Sequence, residues 1–300
     1  MTLTAELSAQ VRALAARAAE ADGVEPLNEE AHFALRDGSG GHHLATEDGA
    51  VVGYLHWQPA YRTAQLVVDP AHRRRGHGRA LLGSLSNSRG GSEPSGGEGE
   101  GEERPAWGVW AFGDLPPARG FAAALGLGAT RGLLVMERSL DGVTAPDPDG
   151  LTLRGFADAD AGDFLAVNAA AFAHHPEQGA LDRHGLEERM AEPWFDPAGL
   201  ILGFDEDGLA GFHWTKRLGR VGEVYVIGVA PRAQGRGYGR VLLQAGLHHL
   251  ARAGADHVVL YVDMAEPVAV RMYESAGFRV ASRDVLYAPE HGHVQKQEQP

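Results

Sequence analysis

The chain has 300 residues, 44% hydrophobic and 22% charged, ordinary for a soluble protein with a core, and at roughly 150 residues per domain it has room for two domains. Lys plus Arg is 27 against 40 for Asp plus Glu, a net charge of −13, so non-specific nucleic-acid binding, which needs a cationic face, is not expected. With no cysteine there are no disulfides, thiolate metal sites or cysteine nucleophile, and no apolar run approaches the roughly 20 residues of a membrane span.

The N-terminal stretch MTLTAELSAQVRALAARAAE reads as an amphipathic charged helix and not a secretory leader, so a cytoplasmic protein is expected. Further along, LVVDPAHRRRGHGRALL (Leu66 to Leu82) runs from an apolar strand through Pro and a basic Gly-rich turn into an apolar helix. IGVAPRAQGRGYGRVLL (Ile227 to Leu243) repeats that order 161 residues later, Pro70 falling on Pro231 and Gly76 on Gly237. ARGFAAALGL (Ala118 to Leu127) likewise matches AVRMYESAGF (Ala269 to Phe278), here at an offset of 151. The difference is about ten extra residues in the first copy. SNSRGGSEPSGGEGEGEERP (Ser86 to Pro105) accounts for them; it has nothing to bury and reads as a disordered surface loop. DGVTAPDPDG (Asp141 to Gly150) reads as a linker, giving halves of 1–143 and 150–300.

The second half starts with a strand at 151–156 and a helix at 158–172. GLILGF, LAGFHWTK and GEVYVIGVA follow as an antiparallel meander. A helix from Gly237 to Gly254, a buried strand HVVLYVD, a helix from Pro267 to Ser275 and a strand FRVASRDVLYAP that closes the sheet complete it. The fold class is α/β of the α+β type: two copies of a mixed, mostly antiparallel sheet flanked by helices.

Gln234-Gly235-Arg236-Gly237-Tyr238-Gly239, followed by Arg240, joins a strand to a helix. Glycines allow a tight bend and close approach, and a helix N-terminus offers free N–H groups to a phosphate. Arg232, Arg236 and Arg240 add cationic charge; Arg74, Arg75, Gly76, His77, Gly78 and Arg79 occupy the like place in the first half. A Gly-rich turn alone is weak evidence, since any strand-to-helix turn with surface arginines looks similar. No Lys-Ser/Thr follows, as a Walker loop would require. The 15 histidines include no H-E-x-x-H; the pairs His42-His43, His174-His175 and His248-His249, and HGH at 291–293, read as surface residues, and no metal is expected.

The pattern V-x-P-x-x-[QR]-x-x-G-x-G before an apolar helix resembles the acetyl-CoA pyrophosphate site of GCN5-related N-acetyltransferases (GNAT). Ala269, Tyr273, Gly277 and Phe278 match that family's second signature. Both halves carry the first motif, so the chain resembles a tandem acetyltransferase. DGVEPLNEE, AAFAHHPEQG, EPWFDPAGLILGF, GFHWTK and GEVYVIGV are similar, over nearly the whole length, to the mycothiol synthase family of actinobacteria. That resemblance implies acetyl transfer from acetyl-CoA to the cysteinyl amine of cysteinyl-glucosaminyl-inositol, a small-molecule substrate. It places acetyl-CoA against Ile227, Gly228, Val229, the 234–240 turn, Glu266 and Arg271, and against Leu66, Val67, Val68 and the 74–79 turn of the first half. Glu266 stands where the family usually has an Asn against the pantetheine arm; an ionised carboxylate accepts but does not donate. The resemblance also matches Glu29, Glu177, Lys216, Glu223 and Tyr261 to acceptor-binding positions, with the halves meeting around the substrate.

Acetyl transfer to an amine needs a base for the amine, donors for the thioester oxygen and a proton for the departing thiolate. Glu223, on the strand entering the site, is the candidate base, and strict alternation puts it on one face with Tyr225 and Ile227. Tyr273 is the candidate acid and the N–H near Val229 the candidate carbonyl donor. At the same offsets the first half has Arg62, Ala64 and Ala122 for Glu223, Tyr225 and Tyr273. That half is expected to bind CoA at most, without acetylating. Bland readings stand beside these: Glu223 as a solvated strand residue, Tyr273 or Tyr261 as core aromatics, Glu177 as a turn residue beside Pro176, Lys216 as a surface strand end. With two internal domains, a monomer is expected. Another small-amine or protein N-terminal acetyltransferase, or a CoA-binding protein without activity, remain alternative readings.

Overall fold

A computed structural model describes residues 3–87 and 107–289. Most of the Gly/Ser/Glu-rich loop assigned to 86–105, and the HGH tail, lie outside the described residues. The elements run α1 (Ala5–Asp22), α2 (Glu29–Asp37), β1 (Gly41–Glu47), β2 (Ala50–Gln58), β3 (Thr63–Val68), α3 (His77–Asn87), β4 (Gly108–Ala111), α4 (Pro116–Ala124) and β5 (Leu127–Ser139). Then come β6 (Thr152–Gly155), α5 (Ala161–Ala171), α6 (Pro176–Gly179), α7 (Arg183–Met190), β7 (Leu200–Asp205), β8 (Gly208–Leu218), β9 (Val221–Val229), α8 (Tyr238–Arg252), β10 (His257–Asp263), α9 (Pro267–Ser275) and β11 (Arg279–Pro289). Short 3-10 turns at Pro70–His72 and Pro231–Ala233 precede the two Gly-rich turns.

Two compact units emerge, and they are not the sequence halves. One holds the described residues up to Gly132 together with 283–289; the other is Leu133–Ser282. In the first unit β1, β2 and β3 are antiparallel, β4 is parallel to β3, and β4 pairs with β11 from Val285↔Ala111 to Tyr287↔Val109. In the second, β6 to β9 form the expected antiparallel meander, β10 is parallel to β9, and β5 pairs antiparallel with β10 from Leu133↔Asp263 to Ser139↔His257. The expectation that FRVASRDVLYAP closes its own sheet is therefore corrected: β5, from the first half, takes the place beside β10, and the end of β11 takes the place beside β4. Hydrophobic pattern specifies a strand but not which of two near-identical edges receives it.

Local signals account for the helix ends. Thr4 and Asn28 side chains accept from Leu7 and Ala31 N–H at the starts of α1 and α2, and left-handed Gly23 and Gly38 end them. Each sheet is packed on both faces. Val11, Leu14, Ala18, Tyr54 and Val67 fill one side of the first unit, Leu55, Leu81, Leu85 and Val109 the other. In the second unit Phe164, Phe212, Trp214 and Leu200 lie under α5, and Met136, Leu243, Leu247, Leu260, Tyr273 and Phe278 lie under α8 and α9.

The surface reading of His42 is corrected, and two further histidines are buried. His42 and His56 are each 2% exposed, and His213 is fully buried. His213 Nδ1 donates to the Leu242 carbonyl at 2.9 Å, so Nε2 is the unprotonated nitrogen. It fits only because Gly246 of α8 faces it; a Cβ there would overlap the imidazole. Gly246→Ala is accordingly expected to lower stability by about 2 kcal/mol through overpacking, read as a fall in the urea midpoint.

Candidate active site

In the second unit β9 leads to the Gly-rich turn, where Gly235 (φ 78°) and Gly237 (φ 86°) are left-handed. Gly237 caps α8 with no side-chain acceptor, so no capping side chain takes up the N–H groups at the start of the helix, as an anion site requires. The first unit keeps this backbone: Arg74 (φ 64°) and Gly76 (φ 93°) occupy the corresponding positions. The arginines contribute less free charge than the sequence suggests. Arg232 and Arg236 lie 2.9 and 3.6 Å from Asp205, at the end of β7, whose side chain is 3% exposed. At the end of β1, Glu47 holds Arg75 at 3.1 Å and His77 at 2.8 Å. In both turns the backbone amides remain as donors for a phosphate, beside any arginine not so held.

Behind the turn, β9 carries a bulge. Trp214 faces Val226 and Thr215 faces Val224, so Tyr225 is an extra residue without an opposite number on β8. This corrects the face assignment. Tyr225 packs with Trp214 under α5, whereas Ile227 packs with Leu243 and Leu242 under α8. Glu223 and Tyr225 share a face; Ile227 does not. Lys216 sits directly opposite Glu223, its Nζ 3.9 Å from Oε2. That ammonium lies over the rings of Trp194 (5.1 Å) and Tyr225 (5.3 Å), and Arg189 Nε donates to the Tyr225 hydroxyl at 2.9 Å. Its side chain is 11% exposed, so it is no surface strand end. The parallel ladder between β9 and β10 stops at Glu223↔Val259, and the strands part from there. Tyr261, two residues beyond Val259, is 52% exposed and therefore not a core aromatic.

Tyr273 of α9 is 6% exposed, edge-on to Phe278 in the core under α8 and α9. Burial pushes its phenol well above the ordinary tyrosine value, which keeps it protonated at neutral pH. Glu266 is exposed just before Pro267 and caps nothing with its side chain, and Arg271 is exposed on α9. Glu29 is the first residue of α2 in the other unit. Glu177 falls in α6, which Asn168 anchors by donating to the Gln178 carbonyl at 2.8 Å; the Glu177 side chain is outside the described residues. Sequence reasoning passed over Trp194, Arg189 and the role of Tyr225, although EPWF and VYV were in view; nothing local says that these aromatics meet around Lys216.

The first unit differs where it matters. Its parallel ladder pairs Thr63↔Gly108 and runs on to Gln65↔Trp110, without a bulge in β3. Matching that ladder to Glu223↔Val259 makes Thr63, and not Arg62, the counterpart of Glu223; Tyr225 has none, so Ala64 is not its partner in the repeat. Gln58, opposite Thr63, stands for Lys216, and the Thr63 hydroxyl donates to Gln58 Oε1 at 3.3 Å. A neutral hydrogen bond replaces the charged pair.

Comparison with known proteins agrees with this architecture. The model of the acetyltransferase (GNAT) family matches residues 169–278, and that of the acetyltransferase (GNAT) domain matches 38–98. A GCN5-related N-acetyltransferase of Sphaerobacter thermophilus (TM-score 0.71, 24% identity, 95% of this chain and 93% of that one) shares the fold. So does a tandem GNAT protein of clavulanic acid biosynthesis (0.67, 22%, 98% of each). In sequence, the mycothiol acetyltransferase of Thermomonospora curvata is 47% identical over 95% of this chain and 94% of its own. That of Nocardia farcinica is 43% identical over 95% of each. The chain belongs to the mycothiol acetyltransferase family. As a member of the mycothiol acetyltransferases it is an acetyl-CoA-dependent N-acetyltransferase with two tandem GNAT domains acting on a small molecule. Among the described residues no helix is long and apolar enough to cross a membrane, and no group of three His, Asp or Glu is placed to hold a metal ion.

Proposed function

We propose that the second unit transfers acetyl from acetyl-CoA to the cysteinyl amine of cysteinyl-glucosaminyl-inositol, giving mycothiol and CoA. One observation carries the assignment to that unit: Glu223, paired with Lys216, stands at the last rung of the β9–β10 ladder, while the first unit puts Thr63 and Gln58 there on a ladder that continues to Gln65↔Trp110.

The turn amides of residues 235–239 and the N-terminus of α8 suit the pyrophosphate of acetyl-CoA, which supplies the activated acetyl group. Ile227, Gly228 and Val229 would line the pantetheine arm, with the Val229 N–H polarising the carbonyl; Gln234, Arg240, Glu266 and Arg271 complete the surround. Glu223 takes the proton from the amine, directly or through a water, as the C–N bond forms. Tyr273, held as a phenol by burial, gives a proton to sulfur as the C–S bond breaks. One proton leaves nitrogen and one reaches sulfur, so both groups reset by exchange with solvent. Glu29, Glu177, Lys216 and Tyr261 would bind the acceptor. No step calls for a metal. The first unit, with its turn intact and its base absent, would hold CoA through Leu66 to Val68 and Arg74 to Arg79 without turning it over.

We infer a cytoplasmic monomer, the internal duplication supplying a second GNAT domain without a partner chain; light scattering should then report about the 31.9 kDa of one chain. The acceptor assignment is tested by offering the enzyme acetyl-CoA with cysteinyl-glucosaminyl-inositol, simple amines and peptide N-termini, and reading products by mass spectrometry. Mycothiol is the expected product. Acetylation of another amine with none of the cysteinyl pseudo-disaccharide would replace this reading, and CoA binding without any transfer would leave a binding protein.

A further inference from the structure

The carboxylate that is to receive the amine's proton already has an ammonium beside it. Lys216 and Glu223 are direct cross-strand partners, Nζ lying 3.9 Å from Oε2. That separation exceeds hydrogen-bond range, so this contact acts on Glu223 through charge. The charge is held in place: Trp194 and Tyr225 present their rings to it at 5.1 and 5.3 Å, an arrangement that favours the cation. Arg189 fixes Tyr225 through its hydroxyl and ties itself to the Gly185 carbonyl at 3.0 Å. The fold does not demand a charged pair here, because Thr63 and Gln58 fill the same two positions in the first unit with a neutral hydrogen bond.

We propose, resting on the acceptor reading above, that Lys216 makes the acceptor site selective for the neutral amine: its ammonium excludes protonated or permanently cationic acceptors. A cation approaching Glu223 would meet the Lys216 ammonium as well, whose charge offsets the carboxylate's attraction and leaves the cost of desolvating the cation uncompensated. A neutral amine meets no such cost and arrives with its lone pair free to attack. The consequence is a restricted acceptor class. An α-amine beside a carbonyl loses its proton near pH ~8, so about a tenth or more is neutral at pH 7; an alkylamine, near ~10.4, is neutral less than about once in a thousand. Weakly basic α-aminoacyl amines fit the site and strongly basic amines do not, and Lys216 is the specificity-determining residue.

The test uses two unreactive analogues of cysteinyl-glucosaminyl-inositol, with the amine replaced by trimethylammonium or by its uncharged isostere, tert-butyl. Inhibition constants are measured for the wild type, Lys216→Met, Lys216→Gln and Lys216→Arg. The wild type and Lys216→Arg should bind the uncharged analogue at least about tenfold more tightly than the cation; in Lys216→Met and Lys216→Gln that preference should vanish or reverse. Circular dichroism identifies any variant that has not folded, and two neutral variants guard against the loss of one. A wild type that binds both analogues equally, a preference that survives neutralisation of Lys216, or inhibition by neither while the true acceptor is turned over, overturns the proposal. Absence of any turnover of the true acceptor would instead strike at the acceptor reading itself.

Discussion

Glutamine in place of Glu223 is expected to lower kcat for acetyl transfer by about 100-fold or more, with CoA affinity changed by less than about twofold. The amide keeps the size of the carboxylate and its place opposite Lys216 but cannot take up the amine's proton. The turn that would bind the pyrophosphate begins beyond Val229, on the far side of the bulge, and is untouched. Tyr273→Phe should cost kcat by a similar factor for the complementary reason. Its ring stays packed against Phe278, so folding survives while the proton donor to sulfur is gone. Steady-state kinetics with calorimetry of CoA binding separates the two effects. Thr63→Ala supplies the control: it alters the corresponding site of the first unit and should leave turnover within about twofold of wild type. Full activity in both Glu223→Gln and Tyr273→Phe would remove them from the chemistry, and a large loss in Thr63→Ala would show that the first unit takes part in catalysis.

The second large effect is on stability in acid. Burial, the leading cause, pulls both the His56 and the His213 imidazoles from 6.5 down to about 4. His42 adds to the lowering at His56, its ring centroid 5.7 Å away, while Asp37 opposes it; at His213 the bond to the Leu242 carbonyl opposes burial and the charge of His249 assists it. The native state keeps each ring neutral where the unfolded chain would protonate it. Their stabilising contribution is therefore complete above about pH 6.5 and is lost as pH falls towards 4. The difference of about 2.5 units is worth roughly 3 kcal/mol per histidine, together a large part of a typical 5–15 kcal/mol of stability. Urea unfolding should show a steep fall between pH 6.5 and 4. His213→Leu, which copies Leu55 at the equivalent position of β2, should flatten the fall by about half even though it gives up the bond to Leu242. An unchanged slope in that variant would mean that other groups govern acid unfolding.

Much of the molecule is legible in the residue order. Local signals suffice for the duplication, the antiparallel meander, α9 at Pro267–Ser275 and both Gly-rich turns. Apolar period, Pro and Gly placement and caps act within a few residues of the chain. The left-handed pair in each turn is legible as well, since Gly235 and Gly237 are the residues such a backbone favours, and Arg74 shows the first copy tolerating one exception. Glu223 could be proposed as the base from its place before the turn.

Beyond that reach, offsets mislead. Counting 161 residues back from Glu223 lands on Arg62, because counting assumes two strands with the same number of residues per rung. The extra residue Tyr225 breaks that assumption and turns Ile227 to the opposite face, and a bulge has no reliable local signature when every neighbour is β-prone. The company Lys216 keeps follows the same logic: Trp194 lies before β7 and Tyr225 within β9, and only the packed sheet brings both rings to one ammonium. The destinations of β5 and β11 are the remaining case. Their composition makes them strands, but two edges of like chemistry compete for each, and the choice rests on contacts summed over a whole unit. Residue order alone therefore settles the tandem acetyltransferase plan and the Gly-rich turns, and it suffices to propose the acid–base candidates, all of which rest on near neighbours. The bulge, the exchange of final strands and the charged cage around Glu223 come from long-range packing, which no short stretch of the chain encodes.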